Sequence, residues 1–197
     1  VALRLEKDRK ARKTDDDAKQ VASSLKLERL EQYVVANSER VHKEADKVRA
    51  AQRERRKQAW WFNSGVPPRH RDRQKLHGRR WAKMLEAFQT RLGLGLITIL
   101  MGTRGTGKTQ MAAELVRTAI FVRSEEAKMT SAASFFRSVR DTYRPDTDTK
   151  EEEIMKWWGS VPLLVLDELQ QRRESRDEDL LLTELVDRRY GNQLDTF

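Results

Sequence analysis

Two hydrophobic periodicities divide the chain. Up to about residue 58 apolar residues are sparse and return at helical spacing: Leu27, Val34, Val41 and Val48 stand seven apart, beside a weaker seam of Leu30, Asn37, Glu44 and Ala51. The stretch has no glycine or proline and is rich in Ala, Leu, Glu, Lys, Arg and Gln, which favour helix. A stripe this narrow cannot build a core of its own, so it predicts a long surface helix that docks on a partner rather than a good coiled coil. Asp15, Asp16 and Asp17 are expected to separate an initial helix from this one, since adjacent like charges repel and aspartate favours caps.

After a boundary the pattern changes to short apolar runs alternating with helical stripes. Trp60, Trp61 and Phe62, then turn chemistry at Asn63 to Gly65 and Pro67, mark the junction. Packing of the junction is the commoner use of such aromatics than stacking on bases. Trp81, Leu85 and Phe88 set a helix leading to Leu96–Met101, which reads as a buried parallel strand. Met111, Leu115, Thr118 and Val122 then recur at helical spacing, and the connection from Phe121 to an edge strand at Ala127–Ser131 is tight. Phe135, Phe136 and Val139 predict a short helix, and a polar loop from Arg144 runs into a helix ending near Trp157 and Trp158. Val161–Asp167 reads as a central strand. Leu180, Leu181, Leu185 and Val186 form a helical stripe stopped by Gly191, and Leu194–Phe197 begins another strand. Strands alternating with helices predict an α/β fold with a parallel sheet.

Charge sharpens the division. Of the net +9, residues 1–64 hold 17 Lys/Arg against 11 Asp/Glu and residues 65–100 hold 8 against 2, while residues 101–197 hold 15 against 18. A basic first half suits a polyanionic or acidic partner, although a solvated helical face accounts for charge runs more often. The absence of cysteine excludes disulfides, thiolate metal sites and a cysteine nucleophile, and fits a reducing compartment. No apolar run approaches the ~20 residues that span a bilayer, so the expectation is a cytoplasmic protein with no membrane partner.

The chemistry is concentrated in two places. Gly102, Thr103, Arg104, Gly105, Thr106, Gly107, Lys108 and Thr109 fill the pattern G-x-x-x-x-G-K-[ST] between a predicted strand and a predicted helix, the context in which it forms a phosphate cradle. The glycines allow a tight turn with inward amides, and the helix adds its positive N-terminal end. Lys108 is expected to reach the β- and γ-phosphates of ATP, and the Thr109 hydroxyl to ligate Mg2+. Some 60 residues on, an apolar strand ends in Asp167 and Glu168. Asp167 is placed to hold the metal, and Glu168 to polarise the attacking water as general base. The order and spacing of the two elements point to an additional-strand P-loop ATPase.

Five segments together resemble the DnaC-type replicative helicase loaders and their IstB-like relatives in the AAA+ class. They are Ser64–Pro67, Gly102–Thr109, Phe135–Tyr143, Leu164–Glu168, and Glu174–Arg176 leading to Val186–Tyr190. The resemblance covers about Ser64 to Phe197 and implies an AAA+ P-loop ATPase with a parallel central sheet, preceded by a mostly helical N-terminal region. It implies a division into a helicase-docking region (1–62), a basic linker with a lead-in helix (63–95) and an ATPase domain (96–197) that is incomplete at its C-terminal end. The implied function is to dock on a hexameric ring helicase and help place it on single-stranded DNA, with ATP as the switch. Self-association through the ATPase domain would supply an arginine finger, which this stretch lacks. Matching the family's nucleic-acid face are Arg140, Tyr143 and Ser175; Tyr143 reads equally well as a cap on the local core. An IstB-like ATPase acting on duplex DNA and an ATP-gated scaffold without turnover are the alternatives.

Overall fold

The computed structural model describes the backbone of residues 2–72, 78–173 and 175–197, and their side chains apart from residues 2–22, 25, 31 and 36. Glu174 and the linker residues 73–77 therefore lie outside the described residues. The chain forms two compact units, Val1–Gln52 and Arg53–Phe197.

The first unit consists of helix α1, which spans Ala2–Phe62 and whose end, from Arg53 on, belongs to the second unit. The expected break at Asp15–Asp17 does not occur. No glycine or proline interrupts the stretch, and its composition favours helix throughout. The predicted seam is on the surface: Leu27, Val34, Val41 and Val48 are between 50% and 66% exposed.

In the second unit the sheet is parallel, in the order β1 (Ala127–Ser131), β2 (Leu163–Asp167), β3 (Asp195–Thr196). Leu163, Leu164, Val165 and Leu166 are buried, as a strand covered on both faces requires. The outer edge of β1 meets the segment after α1, where the Met129 amide donates to the Ser64 carbonyl at 2.7 Å. Gly65 fits there because a Cβ would lie 2.0 Å from the Met129 carbonyl oxygen, and its φ is +81°. Trp60 and Trp61 pack against the core, with Trp61 edge-on to Phe121, so these aromatics seal the junction.

The run Leu96–Met101 departs from expectation. It joins the sheet beside β3 through one bridge, Ile97 to Thr196, with the Thr98 amide donating to Thr196 and the Thr196 amide to Leu96. Ile99 is 72% and Met101 88% exposed, so this is no buried strand. β3 offers only a short ladder, and among the described residues nothing pairs with the other side of the run.

The helices flank the sheet: α2 (Arg79–Gln89), α3 (Lys108–Thr118), α4 (Ala132–Asp141), α5 (Glu151–Ser160) and α6 (Arg176–Gly191). Two apolar clusters result. One joins α3 to one face of the sheet through Leu115, Val116, Ile120 and Val165, and the other joins α4, α5 and α6 to Leu164 and Leu166 on the opposite face. The tight connection after α3 is achieved by a π-helical turn over Ala119–Arg123, closed by Ser124 at φ 61°. Its wider turn shifts the phase, so Ile120 is buried and Val122, expected on the apolar face, is 76% exposed. On α6 Leu185 is buried but Leu180, expected in the stripe, is 60% exposed; Gly191 is the last helical residue rather than the residue beyond.

Candidate functional site

The segment from Gly102 to Thr109 forms a loop whose glycines have the backbone angles that the turn demands: φ is 152° at Gly102, 85° at Gly105 and 82° at Gly107. Gly107 is the N-cap of α3, and only the absence of a Cβ makes its left-handed conformation inexpensive. Thr103, Arg104 and Thr106 are exposed, and the Thr106 hydroxyl donates to the Thr103 carbonyl. The Lys108 ammonium donates to the carbonyls of Gly102 (2.8 Å) and Thr103 (2.9 Å), so its charge lies over the loop mouth.

The two predicted halves of the site meet. The Thr109 hydroxyl donates to an oxygen of Asp167 at 2.9 Å, across the gap between the first turn of α3 and the C-terminal end of β2. The other Asp167 oxygen accepts the Glu168 amide at 2.9 Å. Glu168 is exposed and held at φ 57°, ψ 40°. A non-glycine residue in this region carries a cost of about 1–3 kcal/mol and is found disproportionately at functional sites. A hydroxyl and a carboxylate side by side are hard oxygen donors, and magnesium takes one or two such protein ligands with the rest from phosphate and water. The residues therefore fit that ion, and no cluster of three or more His, Cys, Asp or Glu among the described residues offers a competing all-protein metal cage.

The other three predicted residues lie around α4 and the start of α6. Arg140 pairs with Glu178 at 2.8 Å, and the second Glu178 oxygen accepts the Arg173 amide at 2.7 Å. Ser175 caps α6, its hydroxyl accepting the Glu178 amide at 3.3 Å. Arg140 and Ser175 thus meet at one buried residue, Glu178, Arg140 through its carboxylate and Ser175 through its backbone amide, and the sequence reading did not single it out. The Ser-x-x-Glu spacing of Ser175 and Glu178 was the available signal, since it marks a helix start. Tyr143 is 61% exposed, so it does not cap the core. Its hydroxyl donates to Glu151, which with desolvation pushes the phenol up to about 12.

Two further residues were missed. Arg189 is fully buried and donates to the carbonyls of Trp158 and Val161 (both 2.8 Å), the carbonyl of Asp195 (2.6 Å) and the Thr196 hydroxyl (2.8 Å). Burial pushes its guanidinium down to about 10, opposed by Asp195, and leaves it charged at neutral pH. The Asp195 carboxylate in turn accepts the amides of Gly93 and Leu96, holding the turn that launches the run into the phosphate loop. Spacing was the signal here too, because residue 189 follows Leu185 by four and falls in the same buried stripe.

No protein-family profile matches the chain. Among curated proteins it is 31% identical over 98 residues to the replicative helicase loader DnaC of Escherichia coli K12 and equally to that of Shigella flexneri. It is 26% identical over 98 residues to the DnaC of Buchnera aphidicola. Each match covers 50% of this chain, which spans 39% of the relatives' length. Among solved structures it superposes on a DNA replication initiation factor (TM-score 0.52, 22% identity, 60% of this chain and 36% of that one). It also superposes on the replication initiator DnaA bound to AMPPCP and single-stranded DNA (TM-score 0.54, 19% identity, 66% of this chain and 41% of that one). The chain therefore shares an α/β fold with these replication initiation proteins, and over its matched half it is similar to the DnaC-type replicative helicase loaders.

Proposed function

We propose that this chain is the ATP-binding part of a helicase loader, which docks on a hexameric replicative helicase and helps place it on single-stranded DNA, with ATP binding and hydrolysis as the switch. The observation that carries the reading is the 2.9 Å meeting of Thr109 with Asp167 beside the glycine loop. Loop amides and the N-terminal end of α3 cradle phosphate oxygens. Lys108 leaves the carbonyls of Gly102 and Thr103 to neutralise the β- and γ-phosphates. Thr109 and Asp167 hold Mg2+, which when bound spreads the charge that develops on those phosphates. Glu168, exposed one residue beyond Asp167, orients and deprotonates the attacking water. An arginine from a neighbouring copy completes the site.

Residues 1–62 act as the docking region, 63–95 as the basic linker and 96–197 as the ATPase domain. The exposed apolar seam of α1 supports docking. Tyr143 is exposed and its amide donates to the Arg140 carbonyl at the end of α4. An aromatic ring and a guanidinium at neighbouring positions suit a base and a phosphate, the pairing expected of single-strand binding. The names of the relatives support the same reading.

Nucleotide binding with magnesium, followed by a sizing column with the cognate ring helicase, tests it. Lys108→Ala should weaken ATP binding at least about tenfold, the scale of one lost charge-assisted contact. Equal affinity for ATP in that variant would refute the phosphate-loop assignment, and failure to form an ATP-dependent complex would refute the loader assignment.

A further inference from the structure

Helix α2 lies against α3 and is tied to it at both ends. At its start the Trp81 indole N–H donates to the carbonyl of Gly107 at 3.3 Å. At its end the Gln89 amide donates to the Thr118 hydroxyl at 2.7 Å. The two α2 residues are about 12 Å apart along their helix and the two α3 residues about 16 Å along theirs, so the helices run side by side in the same direction. Leu85 and Phe88 fill the space between, packed on the core cluster.

The position of the Trp81 contact matters more than its length. Gly107 is the last residue of the phosphate loop and the N-cap of α3, and its carbonyl also accepts the first helical hydrogen bond, from Met111 at 2.8 Å. The orientation of that peptide sets where the Lys108 amide and the following N–H groups of α3 point. Those are the groups on which an anion at a helix N-terminus depends. A left-handed glycine is conformationally free, so without the indole only the Met111 hydrogen bond, among the described residues, restrains this peptide, and the Trp81 N–H adds a second tie on the same carbonyl. Tryptophan suits the task, since its ring packs on apolar neighbours while its one polar group finds a partner.

We propose that Trp81 is a positioning residue of the nucleotide site: its indole N–H holds the Gly107 peptide in the orientation that aims the α3 amides at the phosphates. The lead-in helix α2 is thereby part of that site, although it precedes the loop by more than a dozen residues and contributes no phosphate ligand. This inference rests on the ATP-binding reading above.

Trp81→Phe keeps the ring and removes the donor. Trp60→Phe serves as the control, since Trp60 packs on the same core and, among the described residues, makes no hydrogen bond to the loop. Hydrogen exchange across residues 105–111 of the nucleotide-free protein and the affinity for ATP with magnesium are both measured, alongside the melting temperature. Trp81→Phe should raise exchange across 105–111 and weaken ATP binding about 5- to 10-fold, the range expected for one lost hydrogen bond. Trp60→Phe should do neither at a comparable melting temperature. Unchanged exchange and affinity in Trp81→Phe would overturn the inference, as would equal losses in both variants. Absence of ATP binding by the unsubstituted protein would instead overturn the nucleotide reading and the inference with it, while the exchange result would still report whether the brace exists.

Discussion

Two apolar runs of similar composition meet different fates in this molecule. Leu163–Leu166 lies between β1 and β3 with helices on both faces and is buried throughout, whereas Leu96–Met101 touches the sheet at one bridge and leaves Ile99 and Met101 in the open. Hydrophobic content marks both as strand material. Burial is decided by neighbours, because a parallel strand is covered only when ladders flank it on both sides and helices lie over both faces.

The largest effect is expected where the two runs are joined. Arg189 bonds β3 and the carbonyls that lead into β2, so Arg189→Met would leave several buried acceptors unsatisfied. It should destabilise the second unit by about 3–5 kcal/mol, read from denaturant unfolding, since each buried acceptor left unpaired costs about 1–3 kcal/mol. A loss below ~1 kcal/mol would mean that the network does not bind the strands together.

The contrast itself is tested by truncating one residue in each run. Leu164→Ala, at a fully buried site, should cost about 2–5 kcal/mol. Ile99→Ala should stay within about 0.5 kcal/mol, as exposed substitutions do. Similar costs at the two sites would show that the first run is covered after all.

The smallest effect concerns Tyr143, away from both runs. Because its folded pKa is raised, the Glu151 hydrogen bond stabilises fully below the unfolded value of about 10 and is lost as pH rises through about 12. An ultraviolet titration should show a phenol ionising near pH 12 that disappears in Tyr143→Phe. Its persistence in the variant would assign the shift elsewhere.

Much of the second unit was legible. Phe135, Phe136 and Val139 are buried on a short helix, Asp167 ends a central strand, and Thr109 meets it, because these features follow from local periodicity and from a loop whose glycines permit one geometry. The misreadings have a common cause. Val122 left the apolar face through a π turn, Leu180 and the Leu96–Met101 run lacked neighbours, and α1 passed through three aspartates because nothing local was strong enough to stop it.

The pairings of charged groups were the least legible. Glu178 and Arg189 fall at core positions of α6, yet Glu178 pairs with Arg140 38 residues away on α4, and two of the Arg189 bonds reach 31 and 28 residues back, to the end of α5 and the lead into β2. By itself the sequence determined the helices, the glycine loop and the order of the chemistry, all of which depend on residues close along the chain. Only the tertiary structure decided which apolar residues are covered, which charges are matched and which indole reaches the loop, since burial and long-range hydrogen bonds depend on which distant segments meet.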